Sequence, residues 1–172
     1  MVLNRNCQLV IFDLDGTLHT FKDAEDQNAK ISNDILNILF FFKQNNIKIA
    51  LASLNESAEK YLIKYNIMQF FDFVQCKNWM IDGNYKIDLF NKIYGSCDIP
   101  FENMLYFDDR LSHCTEAMDL GIKTVIVDQF KLITWRDVFL GLDYFNYDIV
   151  KDISTQTKSK HSFKNTVYKK LN

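Results

Sequence analysis

The chain has 172 residues, 48% of them hydrophobic, with a single proline and a formal net charge of −2. This length and apolar content predict one domain that buries a substantial core. The sequence has no apolar run approaching the ~20 residues that span a bilayer and no segment typical of a signal peptide, so we expect a cytoplasmic protein without a membrane anchor.

The apolar periodicity predicts strands that alternate with helices. In chain order, the elements are a strand at residues 9–12, a helix through 31–42, a strand at 47–52, a helix at 56–66, a short strand near 73–75, a helix at 86–94, a strand at 104–107, a helix at 111–120, a strand at 123–127 and a helix at 134–146. Because parallel neighbours need crossover connections, this alternation predicts an α/β fold with a five-stranded, mainly parallel sheet covered on both faces.

Polar residues and glycines indicate where several of these helices begin and end. Ser32 or Asn33 is expected to cap the first helix, and Asn55 or Ser57 the second. Gly95 is expected to end the third helix, because glycine readily takes the left-handed conformation found at helix ends.

The most informative segment is Phe12-Asp13-Leu14-Asp15-Gly16-Thr17-Leu18, at the end of the first predicted strand. Side chains alternate along a strand, so Asp13 and Asp15 can share one side while Leu14 packs away from them. Gly16 allows the backbone to turn, and ligands of open α/β sheets usually bind beyond the carboxyl ends of the strands. Two carboxylates placed in this way can serve as a nucleophile and a general acid.

With the later Asp108-Asp109 pair, this segment resembles the haloacid dehalogenase-like phosphatase superfamily. The resemblance covers about residues 8–128 and implies a Rossmann-like three-layer fold. It is closest to the small magnesium-dependent phosphatases without a cap domain, on three further segments: Ala52-Ser53, Lys86-Ile87 and Phe107-Asp108-Asp109-Arg110. The chain departs from that group at Gly16, where a bulky residue is common.

The resemblance implies a role for each matched residue. Asp13 attacks phosphorus and becomes a transient aspartyl phosphate, while Asp15 protonates the leaving oxygen and then activates water. Ser53 and the backbone amides of Leu54 and Asn55 hold phosphate oxygens where a strand passes into a helix.

Lys86 is expected to neutralise the phosphoryl group and to hold the nucleophile's carboxylate, with Lys77 as the competing assignment. The converging carboxylates need a compensating cation, and Mg²⁺ prefers such oxygen ligands. Asp13, the Asp15 backbone carbonyl and Asp108 are expected to contact the ion directly. Asp109 is expected to support these ligands without contacting the ion directly, or to orient the lysine.

Other residues near these motifs carry weaker signals. A lone exposed histidine is usually incidental, so His19 is expected either to have no role or to contact substrate. Arg110 either contacts an anionic substrate or offsets local negative charge. Trp79 and Tyr85 either form an aromatic wall or pack at the edge of the core.

The spacing leaves no room for a cap domain. Only 40 positions separate Asp13 from Ser53, and 33 separate Ser53 from Lys86, and predicted helices and strands fill most of them. We therefore expect an open site, and the resemblance implies a magnesium-dependent phosphomonoesterase acting on phosphotyrosyl protein or, second, on a sugar phosphate. The alternatives are a polynucleotide 3′-phosphatase and a non-catalytic phosphoryl-binding protein.

Positive charge is concentrated at the C-terminus. Residues 151–172 hold six lysines and one aspartate, a charge of +5, which leaves −7 for residues 1–150. We therefore expect a phosphatase domain at 1–150 and a basic extension at 151–172, which either binds nucleic acid or is a solvated tail. The widely spaced Cys7, Cys76, Cys97 and Cys114 are expected to be reduced and not to bind zinc.

Overall fold

The computed structural model describes residues 7–20, 30–78 and 85–145. Within these ranges, five strands form one parallel sheet in the order β3-β2-β1-β4-β5. The strands are β1 (Leu9–Phe12), β2 (Lys48–Ser53), β3 (Phe73–Cys76), β4 (Met104–Asp108) and β5 (Lys123–Ile126). The predicted α/β fold with a five-stranded parallel sheet is confirmed.

Helices cover both faces of this sheet. Those described are α1 (Asn33–Gln44), α2 (Ala58–Lys64), α3 (Lys86–Cys97), α4 (Leu111–Asp119) and α5 (Trp135–Asp143). Side chains of α1, α2 and α5 share a buried cluster with Val10 and Phe12 of β1, whereas those of α3 and α4 share one with Leu9 and Ile11. Because successive strand residues point to opposite faces, these two clusters define a three-layer sandwich.

The helix starts follow from local hydrogen bonds. The Ile35 N–H donates to Ser32 Oγ (3.2 Å), so Ser32 is the N-cap of α1. The Ser57 N–H donates to Asn55 Oδ1 (2.9 Å), a turn that occupies residues expected in the second helix. Consequently α2 is shorter than predicted and begins at Ala58.

The expectation that Gly95 ends the third helix is wrong. Helix α3 continues through Gly95 to Cys97, and Asp98 takes the left-handed conformation with φ 53°. Aspartate tolerates this conformation better than most residues do. Ile99 is buried in the core and precedes Pro100, which disfavours helical geometry at Ile99. The chain therefore leaves the helix where Ile99 must reach the core.

The strand register brings several candidate residues to one edge of the sheet. Phe12 of β1 pairs with Leu51 of β2 and with Phe107 of β4. Asp13, Ser53 and Asp108 therefore all lie at the carboxyl ends of neighbouring strands. This edge is the usual ligand site of an open α/β sheet.

Even the two longest connections that lead away from this edge are short. They comprise residues 13–32, before α1, and residues 77–85, before α3. Neither is long enough to fold as an additional domain, so the fold has no substantial cap domain.

Some sequence expectations concern residues that the structure does not describe. Trp79 and the basic extension 151–172 lie outside the described ranges, so the division at residue 150 stays a prediction. All four cysteines are free. In the described ranges, every helix is too short or too polar to cross a membrane.

Two helical glycines provide a test of this packing. A Cβ at Gly141 of α5 would lie 2.8 Å from Leu105 Cδ2 and 3.2 Å from Val125 Cγ2, whereas one at Gly95 would meet nothing within 4 Å. Gly95→Ala should raise the free energy of unfolding by about 0.5–1 kcal/mol, through helix propensity alone. Gly141→Ala should lower the free energy of unfolding by about 1 kcal/mol, because the cost of overpacking exceeds the same gain in helix propensity.

Urea denaturation of the two variants measures this difference. Equal stabilisation by both substitutions would contradict the close packing of α5 against the sheet.

Candidate active site

A buried ion pair between Asp13 and Lys86 lies at the centre of the sheet edge. Lys86 Nζ donates to Asp13 Oδ1 (2.6 Å) and to the backbone carbonyl of Ala52, and it lies 3.4 Å from Asp108 Oδ2. The Lys86 side chain is fully buried and also lies over the Tyr106 ring, 5.6 Å from the centroid. A buried charge is costly without partners, and Lys86 has several.

The position of Lys86 depends on the packing of two helices. Lys86 is the first residue of α3, whose N-cap residue, Tyr85, makes no side-chain capping bond. Instead, Glu116 of α4 accepts a hydrogen bond from the Ile87 N–H through Oε2 (3.1 Å). Leu89, Phe90 and Ile93 then fix α3 against the sheet. A carboxylate from the neighbouring helix therefore caps the turn that carries the lysine.

Asp108 is completely buried, and donors from the protein surround its carboxylate. Oδ2 accepts a hydrogen bond from the Tyr106 hydroxyl and lies 2.9 Å from His113 Nδ1, and Oδ1 accepts one from the Arg110 N–H (2.7 Å). Both carboxylate oxygens are therefore engaged.

The two neighbouring buried carboxylates, Asp13 and Asp108, have opposite pKa shifts. Burial raises the pKa of Asp13 to about 6, although the Lys86 charge opposes that shift. Burial acts in the same direction on Asp108, but the hydrogen bond from His113, the charge of Lys86 and the hydrogen bond from Tyr106 together lower its pKa to about 2. Asp108 is thus held firmly in its ionised form.

Asp109 differs from Asp108 in its surroundings. Its Oδ1 is buried and has no hydrogen-bond partner in the part of the chain that the structure describes. Burial and the negative charge of Asp108 raise the pKa of Asp109. One carboxylate oxygen from each of Asp13, Asp108 and Asp109 lies within 4.8 Å of the others. A buried carboxylate oxygen without a partner, in a cluster of three acids, suits a divalent cation with a preference for oxygen ligands.

Gly16 lets the turn after β1 approach Asp109. Its φ is +80°, and a Cβ there would lie 2.6 Å from Asp109 Cγ and 2.7 Å from Oδ2. Backbone conformation and space both require glycine. The small magnesium-dependent phosphatases that the sequence resembles often have a bulky residue at this position. In this chain such a side chain would clash with the Asp109 carboxylate.

Asp15 contacts a different set of side chains from Asp13. Its Oδ1 lies 2.8 Å from His19 Nε2, and its Oδ2 accepts a hydrogen bond from Asn55 Nδ2 (3.0 Å). Burial acts to raise the pKa of Asp15, but the hydrogen bonds from His19 and Asn55 outweigh it and lower that pKa. One side-chain amide and one histidine therefore hold this carboxylate.

The expectation of an exposed His19 is wrong. The residue is only 2% exposed, and its Nδ1 lies 2.9 Å from the Tyr65 hydroxyl. The Gly16 N–H donates to the His19 carbonyl (2.8 Å), so the turn folds His19 back against Asp15.

Ser53 lies buried at the end of β2, as its predicted role requires. Its Oγ accepts a hydrogen bond from the Asn55 N–H (3.2 Å), one of the two amides expected to hold phosphate. Leu54, which lies between Ser53 and Asn55 in the chain, is half-buried. Because α2 begins at Ala58, these amides precede the helix and do not belong to its first turn.

Of the two candidate lysines, Lys86 contacts Asp13, and Lys77 lies buried beside Ser53. The Lys77 N–H donates to the Ser53 carbonyl (2.9 Å). Tyr85 is 62% exposed and therefore does not pack in the core. Arg110 is also exposed.

Sequence reasoning missed Tyr106 and His113 as partners of Asp108, and Tyr65 as a partner of His19. Tyr106 is two positions before Asp108 on the same strand, so the alternation of side chains could have indicated it. His113 lies in the first turn of the helix that follows the acidic pair. No local signal connects Tyr65 with His19.

Comparison with known proteins agrees with this architecture. Residues 19–148 match the family model described as acid phosphatase. No curated protein matches the chain.

Several solved structures share the fold, each at low sequence identity. A haloacid dehalogenase-like hydrolase from Streptococcus pneumoniae is 13% identical over 81% of this chain and 91% of that one, with a TM-score of 0.61. A CbbY variant from Rhodobacter sphaeroides, in complex with xylulose-1,5-bisphosphate, is 12% identical over 70% and 85%, with a TM-score of 0.56. The N-terminal part of a Bacteroides fragilis protein, which contains a phosphatase domain complexed with Mg, is 18% identical over 79% and 40%, with a TM-score of 0.61.

The family match spans most of the chain and includes Ser53, Lys86 and Asp108. Asp13 and Asp15 lie just before the matched range, on the strand and turn that lead into it. The chain belongs to the acid phosphatase family, is a hydrolase of the phosphatase class, and shares its fold with haloacid dehalogenase-like hydrolases.

Proposed function

We propose that this phosphatase is a magnesium-dependent phosphomonoesterase that transfers a phosphoryl group first to Asp13 and then to water. One observation carries the proposal. The Asp13 carboxylate is bound by a fully buried lysine and lies next to two further carboxylates at the carboxyl edge of the sheet.

Asp13 and Asp109 are the carboxylates that we assign as direct ligands of Mg²⁺, together with the backbone carbonyl of Asp15. This differs from the sequence-based expectation, in which Asp108 contacts the ion directly and Asp109 does not. The reason is that protein donors engage both oxygens of Asp108, whereas Oδ1 of Asp109 is buried without a partner. Asp108 then orients Lys86, which lies 3.4 Å away. When bound, Mg²⁺ supplies positive charge that offsets the carboxylates and the phosphoryl oxygens.

Asp13 is the nucleophile in this proposal. Lys86 holds one oxygen of Asp13, and an Asp13 oxygen forms the new bond to phosphorus as the bond from phosphorus to the leaving oxygen breaks. Holding the reacting group in place provides much of the rate enhancement in reactions of this kind.

Asp15 moves the proton in both steps. It gives a proton to the leaving oxygen in the first step and takes one from the attacking water in the second. The negative charge of a bound phosphate raises the proton affinity of Asp15, which favours the protonated form that the first step needs. The phosphoryl oxygens accept hydrogen bonds from the Ser53 hydroxyl and from the backbone amides of Leu54 and Asn55. For this, the Asn55 N–H gives up its hydrogen bond to Ser53 Oγ and donates to the substrate instead.

The site is proposed to accept phosphotyrosyl protein first and a sugar phosphate second. The connections are too short to form a cap domain over the sheet edge, and a site without a cap domain admits a phosphorylated side chain on a large partner. Tyr85 and Arg110 are exposed and directly adjoin Lys86 and Asp109 in the chain, where they can contact an aromatic ring and an anion. The sugar bisphosphate bound to the structurally similar CbbY variant supports the second class.

Asp13→Asn should abolish magnesium-dependent release of phosphate from p-nitrophenyl phosphate, because the amide cannot act as the nucleophile. The expected loss of kcat is at least about 10³-fold, as is usual when a nucleophile is removed. Asp98→Asn is the matched control, since Asp98 lies at the end of α3 opposite Lys86 and asparagine tolerates its left-handed backbone. Equal rates for wild type and Asp13→Asn would rule out Asp13 as the nucleophile.

Thermal denaturation tests the assignment of the metal ligands without measuring activity. MgCl₂ at about 100 times its Kd should stabilise the wild type by about 2.7 kcal/mol, because the ion binds only the folded state. Asp109→Asn should lose most of this shift in Tm, whereas Asp108→Asn should lower the Tm in EDTA and keep part of the shift. The reverse pattern would make Asp108 the direct ligand.

Gly16→Ala should weaken Mg²⁺ binding and phosphatase activity, because the added methyl group displaces the Asp109 carboxylate. Gly121→Ala is the matched control, since Gly121 also has a positive φ (+90°) but its Cβ would meet nothing within 4 Å. Both substitutions should cost about 1–2 kcal/mol of stability through backbone strain. Only Gly16→Ala should reduce the Mg²⁺-induced shift in Tm, and equal shifts would show that Asp109 does not need this close approach.

A further inference from the structure

A chain of three side chains runs from the site into the layer of α2. His19 Nε2 lies 2.8 Å from Asp15 Oδ1, and His19 Nδ1 lies 2.9 Å from the Tyr65 hydroxyl. His19 is 2% exposed and Tyr65 is 7% exposed, so water does not compete for these contacts. Both ring nitrogens of a buried histidine are therefore engaged by protein groups.

The direction of these hydrogen bonds follows from the chemistry of the three groups. An ionised carboxylate only accepts hydrogen bonds, so the His19 nitrogen that faces Asp15 carries the proton. In the neutral imidazole, Nδ1 is then an acceptor, and the Tyr65 hydroxyl donates to it. Tyr65 thus fixes the tautomer that presents an N–H to Asp15.

Aromatic packing holds the plane of the imidazole ring. The Tyr61 and Tyr65 rings meet it edge-on, with centroids at 5.0 Å and 5.6 Å. Tyr61 belongs to α2, and Tyr65 is the C-cap of this helix. The orientation of His19 is therefore fixed by the docking of α2 on the sheet.

Asp15 is consequently held at both oxygens, by His19 from its own turn and by Asn55 from 40 positions away in the chain. The Asn55 side chain binds Oδ2 (3.0 Å) while His19 binds Oδ1. A side chain on a turn would otherwise sample several rotamers. An acid that must reach the leaving oxygen gains from being fixed in advance, since a misplacement of about 1 Å can cost about 10²-fold in rate.

We propose that His19, oriented by Tyr65, is a positioning residue that aims the Asp15 carboxylate at the leaving-group oxygen. The inference rests on the proposed phosphatase reaction, in which Asp15 is the proton donor. A histidine buried only for stability would make the same contacts without affecting one kind of substrate more than another.

Leaving-group dependence separates these two roles. An alkyl phosphate has a poor leaving group that needs a proton from Asp15, whereas 2,4-dinitrophenolate leaves without one. The ratio kcat/KM reports the steps up to phosphoryl transfer to Asp13, and it is therefore free of the later attack by water. The experiment compares kcat/KM for glycerol phosphate and for 2,4-dinitrophenyl phosphate, with Mg²⁺ present.

His19→Phe should lower kcat/KM for glycerol phosphate by about 10- to 100-fold, a large part of the usual contribution of a general acid. For 2,4-dinitrophenyl phosphate the change should stay within about threefold. His19→Gln should restore part of the loss, because its amide can donate to Asp15 as Nε2 does. Tyr65→Phe should give a smaller loss of the same selective kind.

Tyr61→Phe is the matched control for Tyr65→Phe. It makes the same chemical change and keeps the ring that packs on His19, but removes a hydroxyl outside the hydrogen bonds described above. It should leave both kcat/KM values unchanged. Should His19→Phe fail to fold, Tyr65→Phe and Tyr61→Phe still decide the question.

Equal losses on both substrates, or no loss on either, would overturn the positioning role while leaving the phosphatase intact. Failure of the wild type to hydrolyse even 2,4-dinitrophenyl phosphate, or equal hydrolysis by Asp13→Asn, would overturn the proposed function itself. The two failures are therefore distinguishable in one set of measurements.

Discussion

The Lys86 ammonium lies between Asp13 and Asp108 and is removed from water by α3 and the sheet. A buried cation of this kind is stable only while carboxylates surround it. A single lysine, however, does not balance the three acids at this edge, Asp13, Asp108 and Asp109. The remaining negative charge makes the edge suitable for a divalent cation. A cation bound there would also offset the negative charge of a phosphoryl group.

The same edge gives two aspartates of one short motif different environments. Asp13 is buried beside a lysine, and burial raises its pKa to about 6. Asp15, two positions later, accepts hydrogen bonds from His19 and Asn55, and these outweigh burial to lower its pKa. The first step of the proposed reaction uses an ionised Asp13 and a protonated Asp15, so bound charges have to oppose both shifts. A cation beside Asp13 would lower its pKa, and a phosphate beside Asp15 would raise that of Asp15.

Helix packing supports both environments from opposite faces of the sheet. On one face, Glu116 of α4 caps α3 and so fixes the turn that carries Lys86. On the other, α2 and the residue that ends it supply the tyrosines that orient His19. The proposed chemistry therefore depends on how the helical layers dock, as well as on the motif residues.

The sequence by itself determined the parallel sheet, the strand-end positions of Asp13, Ser53 and Asp108, and the position of Lys86 at the start of α3. These features depend on apolar periodicity and on the rule that parallel strands end at one edge. Only the tertiary structure decided that α3 runs past Gly95, that His19 is buried, and that Asp108 and Asp109 differ in their partners. The partners of Asp108 lie only two to five positions from it, and the folded side-chain directions decide that they reach this carboxylate and not its neighbour. The surroundings of His19 and Asp15 instead depend on distant contacts, across 46 positions between His19 and Tyr65 and across 40 between Asp15 and Asn55. Such contacts are set by the docking of helices on the sheet, and no local pattern of residues records them.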